Sequence, residues 1–198
     1  MKWFGRRKNR EEGTLPVLST ERLVLRGFDK NDAVHVYAYA QNDRLAAMTG
    51  FKPHAALEDS LRMVEDFIEK GEYWAIVEKS TGRVIGSIGL PLDSRRSEFS
   101  SARRISYVIG EAFWGNAYTT EACREVLRYG FDELNCDLIS ASHLTTNTKN
   151  KRTLKKLGFT PEGVMRRAKP LPGGEAGDLV IYSLLKAEYE EQQRKNSK

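Results

Sequence analysis

The sequence has only two cysteines and three histidines. Cys123 and Cys136 have no CxxC or Cys/His neighbour, so we expect two buried free thiols in a reducing, cytoplasmic setting. No apolar run approaches the roughly 18 residues that a membrane span needs. The basic N-terminus is not followed by the apolar region of a secretory signal. We therefore expect a cytoplasmic protein without a membrane partner.

Several motifs of nucleotide and metal chemistry are also missing. His35, His54 and His143 lie far apart, with neither HxxxH nor HExxH spacing, so no metal site is predicted. The sequence contains neither the dinucleotide-binding GxGxxG motif nor the GxxxxGK[ST] phosphate loop. A Ser/His/Asp triad has no nucleophile elbow to support it.

Positive charge is concentrated at one end of the chain. Residues 1–12 carry +3 of the net charge of +5, which leaves +2 for the other residues. Because this remainder is nearly balanced, we do not expect nucleic acid as the main partner. We expect a basic, disordered tail over 1–13, a single domain over 14–190 and a polar C-terminal tail over 191–198.

Hydrophobic periodicity predicts strands interleaved with helices, and hence an α/β (α+β layered) fold with a mixed sheet. A hairpin is expected within 73–90, with Gly82 in its turn, and Gly71 is expected to end the helix before it. The other strands are expected over 22–28, 102–109, 137–146, 160–170 and 177–189. The helices are expected over 29–43, 57–71, from the 111–122 stretch to about residue 134, and in 147–158.

The stretch "EAFWGNAYTTEA", residues 111–122, places small and hydroxylated residues just before a helix. A helix N-terminus has unpaired N–H groups and a partial positive charge, and it therefore attracts phosphate. Gly115 and Ala117 would leave the backbone accessible, while Thr119 and Thr120 could add hydroxyl donors. The alternative is that Thr119 only caps the helix and Gly115 only makes a turn.

Three stretches together resemble the GNAT acyltransferase superfamily, and within it the RimJ/RimL-like ribosomal-protein N-terminal acetyltransferases. They are "YVIGEAFWGNAYTTEACREVLRYGFDEL", "TTNTKNKRTLKKLGFTPEGVMRR" and "GDLVIYSLL", and the resemblance runs from about Ser19 to Tyr189. It implies a mixed, mostly antiparallel sheet of six to seven strands with about four helices, splayed at the central strands to hold acetyl-CoA.

The resemblance also assigns residues to acetyl-CoA binding. They are Val108, Ile109, Trp114, Gly115, Asn116, Ala117, Tyr118, Thr119, Asn147, Asn150 and Arg152. Two positions depart from the superfamily pattern. Ala112 stands where an arginine or glutamine is usual. Asn150 stands where a serine has been suggested to protonate the departing thiolate, and an amide cannot donate a proton in that way. The basic helix around Arg152 could meet the 3′-phosphate of the cofactor or be a solvated face.

The expected reaction is attack of a neutral amine on the thioester carbonyl, with a backbone N–H near Val108 or Ile109 stabilising the oxyanion. A base must deprotonate the amine. His143 is the first candidate because of its titration range, and the alternative is a histidine satisfied within the sheet. The further catalytic candidates are Asn150 and Tyr182, with Glu72, Tyr73 and His54 also considered.

We therefore expect an acetyl-CoA-dependent N-acetyltransferase, acting first of all on a protein or peptide N-terminal α-amine. A small amine, such as a polyamine, an amino acid or an aminoglycoside-like compound, is the alternative acceptor. An acceptor pocket lined by Glu58, Asp59 or Glu72 would favour a polyamine. An RNA- or ribosome-binding module without catalysis is the alternative of another class. We expect a monomer or a homodimer.

Overall fold

The computed structural model describes residues 15–99 and 101–196, so the tail expected over 1–13 lies outside the described residues. This part of the chain forms nine strands and six α-helices. The strands are β1 Leu18–Ser19, β2 Leu23–Gly27, β3 Tyr73–Glu78, β4 Val84–Gly89, β5 Ala102–Arg104, β6 Ser106–Ile109, β7 Leu138–Leu144, β8 Thr160–Pro170 and β9 Ala176–Leu185. The helices are α1 Ala33–Ala40, α2 Asp43–Thr49, α3 Leu57–Lys70, α4 Tyr118–Arg128, α5 Thr148–Lys156 and α6 Lys186–Asn196.

The strands form two sheets with the orders β1-β2-β3-β4-β6 and β5-β7-β9-β8. Every strand pair is antiparallel except β5 and β7, which are parallel. The expected class, a layered and mostly antiparallel α/β fold, is confirmed. The expected count of six to seven strands is too low, because 102–109 divides into two strands that belong to different sheets and β1 adds a short edge.

The two sheets separate at Ile105, between β5 and β6. The Ile105 N–H donates to the Ser140 carbonyl on β7 at 2.9 Å, whereas the Gly110 N–H donates to the Ile85 carbonyl on β4 at 2.9 Å. Beyond Ser140, β7 pairs only with β9, and β6 pairs only with β4. A gap therefore opens between β6 and β7, as the expected splay requires.

Two helices go beyond the four expected. The α2 helix is short and begins after Asn42, whose side chain accepts a hydrogen bond from the Leu45 N–H at 2.8 Å. The α6 helix begins at Lys186, where the alternating pattern had predicted a strand continuing to Tyr189. Tyr189 instead stacks on Phe131, with ring centroids 4.7 Å apart, so tertiary packing overrides the local pattern. The boundary expected after residue 190 falls inside α6.

The core lies between α4 and the strands that it covers. Trp74, Phe131 and Leu154 are among its fully buried side chains. Cys123 and Cys136 are buried free thiols, as expected, and burial raises the pKa of the Cys136 thiol to about 11. Among the described residues, no helix is long and apolar enough to cross a membrane.

Candidate active site

The mouth of the splay is an open cleft between β6, the loop before α4, and α5. We call it the outer cleft. Ten of the eleven residues assigned to the cofactor by resemblance line it: Val108, Ile109, Trp114, Gly115, Ala117, Tyr118, Thr119, Asn147, Asn150 and Arg152. The exception is Asn116, whose side-chain amide turns back and donates to the Phe113 carbonyl at 3.2 Å. One tertiary feature thus collects residues from two separate sequence motifs.

The N-terminus of α4 faces the outer cleft without a side-chain cap. Its N-cap residue is Ala117, which adopts left-handed backbone angles (φ 61°, ψ 8°), and no side chain of the described residues bonds to the cap. Thr119 lies inside the helix, so the alternative in which Thr119 caps it is wrong. Gly115 is also left-handed (φ 86°), and nothing lies within 4 Å of where its Cβ would be. The first N–H groups of α4 are therefore available to an anion.

Arg22 and Glu121 hold this loop in place. The Arg22 guanidinium donates to the Asn116 carbonyl at 2.9 Å and to Glu121 Oε2 at 2.6 Å. Glu121 also accepts from the Thr20 hydroxyl at 2.6 Å. Burial alone would raise the pKa of Glu121, but the hydrogen bonds from Thr20 and Arg22 hold that pKa below its usual range. The turn between β1 and β2 thereby positions the start of α4.

Trp114 joins the loop to both walls of the cleft. Its indole N–H donates to the Ile109 carbonyl on β6 at 2.8 Å. The Lys149 ammonium lies 3.8 Å from the centroid of its ring, within the range of a cation–π contact. Lys149, Arg152 and Lys156 recur at helical spacing and all line the cleft, whereas Lys151 and Lys155 do not. One face of the basic helix therefore belongs to the site.

Asn147 and Asn150 organise the start of α5. Asn147 is 6% exposed; its side-chain oxygen accepts from the Asn150 N–H at 3.1 Å, and its amide donates to the Met48 carbonyl at 2.9 Å. Asn150 Oδ1 accepts a hydrogen bond from the Tyr107 hydroxyl. Burial raises the pKa of Tyr107 well above its usual value, so this hydroxyl keeps its proton near neutral pH.

The backbone of β6 presents alternate residues to the gap. The neighbouring groups fix the alternation, because Ile105 N–H points to β7 while Gly110 N–H points to β4. By that periodicity the N–H groups of Tyr107 and Ile109 face the gap, and the N–H of Val108 faces β4. Of the two oxyanion donors considered from the sequence, Ile109 is therefore the one whose N–H faces the gap.

A second cavity of about 330 Å³ lies deeper in the splay, and we call it the inner cavity. It shares six residues with the outer cleft: Met48, Thr49, Tyr107, Val108, Asn147 and Asn150. Its walls are largely aromatic or apolar, with contributions from α1, α2, α3 and β7. Such a chamber has the size and character of a small-molecule site. The two cavities meet beside Tyr107 and Asn150.

His143 and Tyr182, both candidates from the sequence, lie side by side on β7 and β9. His143 is 5% exposed and lines the inner cavity, whereas Tyr182 does not. The His143 Nδ1 lies 2.8 Å from the Leu144 carbonyl oxygen, an arrangement that places the ring proton on Nδ1. Nε2 then accepts from the Tyr182 hydroxyl at 3.3 Å. Both ring nitrogens thus have partners, as the satisfied-histidine alternative requires.

The other base candidates lie in different places in the structure, and only one of them lines the inner cavity. Tyr73 lines the inner cavity, but Glu72 and His54 do not. Glu72 lies 3.8 Å from the Arg103 guanidinium. The His54 Nδ1 lies 2.7 Å from the Ser60 hydroxyl at the start of α3, and burial lowers the pKa of the imidazole. His54 therefore serves the entry to α3, as its alternative reading held.

Sequence reasoning missed several lining residues. Tyr107 and Arg104 were taken only as parts of a strand, although a tyrosine and an arginine in the strand next to the predicted phosphate site could have drawn attention. Met48 and Thr49 were missed because α2 was not expected. Lys169 enters the inner cavity from β8, and nothing in its local sequence distinguishes it.

Comparisons with known proteins agree with the resemblance to the GNAT superfamily. A sequence model of the acetyltransferase (GNAT) domain matches residues 22–160. The chain is 32% identical over 179 residues, 86% of this chain and 97% of the relative, to the uncharacterized N-acetyltransferase YoaA of Bacillus subtilis (strain 168).

Two solved structures share its fold. A GNAT-family acetyltransferase from Bacillus anthracis aligns with a TM-score of 0.78 at 23% identity, covering 87% of this chain and all of that one. The ribosomal-protein-S5-alanine acetyltransferase from Vibrio fischeri aligns with a TM-score of 0.70 at 20% identity, covering 88% and 98%. With its splayed sheets and a domain match over most of its length, this chain belongs to the GNAT family and is an N-acetyltransferase.

Proposed function

We propose that the protein transfers the acetyl group of acetyl-CoA directly to the α-amine of a protein or peptide N-terminus. The observation that carries this proposal is the junction of the two cavities beside Tyr107, Val108 and Asn150. One chamber has an uncapped helix N-terminus and basic side chains, and the other is an aromatic-walled pocket. Two substrates bound in this way would bring their reacting groups together at the junction.

The outer cleft is our assignment for the cofactor. Pyrophosphate would lie against the first N–H groups of α4, where Gly115 leaves space. Arg152, with Lys149 and Lys156 on the same face of α5, would face the 3′-phosphate. The rest of the gap-facing edge of β6 would bond the extended pantetheine arm as a sheet edge bonds a peptide, while the Ile109 N–H is left for the acetyl carbonyl. Acetyl-CoA supplies the activated acetyl group when it is bound.

Ile109, next to the junction, and two residues at the junction each have a separate role in the transfer step. The Ile109 N–H would stabilise negative charge on the carbonyl oxygen as the amine adds to it. The C–S bond then breaks, and the sulfur needs a proton. Tyr107 is our candidate donor, because its hydroxyl lies at the junction and, with its pKa raised by burial, carries its proton at neutral pH. Asn150 would orient that hydroxyl rather than donate a proton, which accounts for the amide at this position.

His143 remains our candidate for the base, with Tyr182 as its partner. His143 is the only histidine that lines the inner cavity among the described residues. Its Nε2 is bonded to the Tyr182 hydroxyl at 3.3 Å, a long hydrogen bond. The amine proton would reach Nε2 when that contact opens or by way of a water molecule. The dyad thus needs a small side-chain rearrangement to act.

The acceptor class is argued from one structural neighbour and from the lining of the inner cavity. The S5-alanine acetyltransferase with the same fold acts, by its name, on an alanine of a ribosomal protein, which supports the assignment of a protein or peptide acceptor. Polyamines lose support, because Glu58, Asp59 and Glu72 are not among the residues that line the inner cavity. Asp59 instead accepts from the Ala55 N–H at 2.8 Å. A cytoplasmic location and a monomeric or dimeric state stay predictions.

The test is release of CoA thiol from acetyl-CoA in the presence of N-terminal peptides, polyamines and free amino acids. Mass spectrometry of the products should place the new acetyl group on the α-amine of the peptides. Turnover of small amines alone would contradict the peptide assignment while leaving acetyl transfer intact. Absence of turnover despite acetyl-CoA binding would contradict the proposed catalytic roles of Tyr107 and His143.

A further inference from the structure

The inner cavity contains a cation without a protein partner. Arg104 lines this cavity, and among the described residues its guanidinium forms neither an ion pair nor a side-chain hydrogen bond. Its Nε is buried with no acceptor in reach. Buried donors in folded proteins are almost always paired, so a guanidinium that the described residues leave without an acceptor, on a residue that lines a cavity, calls for a ligand.

The rest of the lining does not compensate this charge. Lys169 also lines the inner cavity and has no ion pair within the described ranges, whereas no aspartate or glutamate contributes to the lining. The chamber therefore has two fixed positive charges among mainly aromatic and apolar walls. These charges repel a substrate that carries several protonated amines, and they attract one that carries an anionic group beside its amine.

This anion is not supplied by the cofactor in our assignment. Arg104 does not line the outer cleft, where the start of α4 and the basic face of α5 lie. Arg104 ends β5, three residues before Tyr107 of β6, and so lies on the side of the junction away from the loop at Gly115. The partner of Arg104 must therefore enter with the acceptor.

We infer that the acceptor is an anionic amine, whose carboxylate is bound by Arg104 while its amine lies at the junction. This inference rests on the proposed acetyl transfer and specifies its substrate class. A guanidinium binds a carboxylate through two parallel hydrogen bonds, which fix orientation as well as distance. The carboxylate could be the α-carboxylate of a free amino acid or the side chain of an acidic residue near a peptide N-terminus.

The chain offers a matched control beside Arg104. Arg103 is the preceding residue of β5, but it does not line the inner cavity. It donates to the Leu90 carbonyl at 3.3 Å and lies 3.8 Å from Glu72. Arg103→Met removes a charge from the same strand without removing one from the cavity. Arg104→Lys retains the charge but loses the two-pronged geometry.

The experiment compares probes that differ only in the carboxylate, using the full chain with CoA bound. One pair is phenylalanine and phenylalaninamide; the other is the amidated peptides Ala-Glu-Phe and Ala-Gln-Phe. Calorimetry gives the dissociation constants, and thiol release with acetyl-CoA gives turnover. In the wild type we expect the charged member of at least one pair to bind roughly 10- to 100-fold more tightly, the range for a hydrogen bond to a charged group. The responding pair identifies the source of the carboxylate.

Arg104→Met should abolish this preference, Arg104→Lys should retain part of it, and Arg103→Met should retain all of it. Equal affinity within both pairs, binding by none of the probes, or a preference that survives in Arg104→Met would each overturn the inference. A loss of kcat for all acceptors, with no change in the preference, would place Arg104 in the reaction step and also overturn it. If the preference exists but no CoA is released, the anion subsite stands and the proposed transfer to these acceptors fails.

Discussion

The Tyr107 hydroxyl donates a hydrogen bond to Asn150 Oδ1 at the junction of the outer cleft and the inner cavity. The two residues come from different motifs, one from the strand at the splay and the other from the first turn of α5. Their contact supplies a hydroxyl at the place where the family resemblance led us to look for one. An asparagine at position 150 is thus compatible with thiolate protonation by a neighbour.

Tyr107→Phe should lower kcat by about 100-fold, the low end of the range for acid–base assistance, with little change in the KM for acetyl-CoA. Because burial raises the pKa of Tyr107 above its ordinary value near 10, the donor should stay protonated and should produce no alkaline limb below about pH 10. Steady-state kinetics across pH measures both effects. Tyr37→Phe removes a hydroxyl outside both cavities and is the control. An unchanged kcat in Tyr107→Phe would eliminate Tyr107 as the acid.

Gly115→Leu should weaken acetyl-CoA binding by more than tenfold, because the new side chain would occupy the space before the α4 N-terminus. Gly82→Leu is a matched control, since Gly82 has a similar positive φ (69° against 86°) and equally open surroundings, but lies in the β3–β4 turn. Both changes should lower the free energy of unfolding by about 1–2 kcal/mol through the left-handed backbone. Calorimetric titration of each variant with acetyl-CoA measures the dissociation constant, and the comparison with Gly82→Leu distinguishes a loss of binding from a general effect of backbone strain. Similar acetyl-CoA affinities in the two variants would refute the phosphate cradle.

His143→Gln should flatten the acidic limb of the pH–rate profile. A base must accept the proton of the amine, and a glutamine amide cannot take that role. Tyr182→Phe removes the contact at Nε2 but keeps the imidazole, so it should keep an acidic limb. The measurement is kcat/KM from pH 5 to 9. An unchanged limb in His143→Gln would leave the imidazole as a structural member of the sheet.

Asp93 should stabilise the branch point of the two sheets. It is 1% exposed and accepts from the Ser140 hydroxyl at 2.7 Å and from Arg96 at 2.8 Å. Burial alone would raise the pKa of Asp93, but these hydrogen bonds hold it below its usual range. Its contribution should therefore be complete above about pH 5 and disappear as the pH falls below the unfolded value near 3.9.

Asp93→Asn should lower the free energy of unfolding at neutral pH by about 1.5–3 kcal/mol and weaken its dependence on acid. Urea unfolding at several pH values measures both quantities. Asp66→Asn, at an exposed i,i+4 pair with Lys70, should change stability by no more than about 0.5 kcal/mol. Equal losses of unfolding free energy in the two variants would show that the buried contacts of Asp93 stabilise the protein no more than an exposed ion pair does.

Local sequence determined the elements whose causes are local. The αL angles of Gly71 and Gly82 follow from glycine at a helix end and in a hairpin turn. The α3 helix begins and ends where its periodicity predicts. The short α2 helix has an Asn42 cap, but its seven residues contain too little periodicity to be recognised. Residues 186–189 show the reverse case: their pattern predicts a strand, but they form the start of α6, where Tyr189 packs on Phe131.

The sequence by itself also determined the family, because two motifs at the right spacing carry the residues that line the outer cleft. Only the tertiary structure decided which side chains meet. The separation of β6 from β7 depends on hydrogen bonds between residues 35 positions apart, such as Ile105 and Ser140. The splay brings Tyr107 to Asn150, and it exposes the Arg104 guanidinium to an inner cavity without a carboxylate. Such pairings depend on long-range register, which no local pattern encodes.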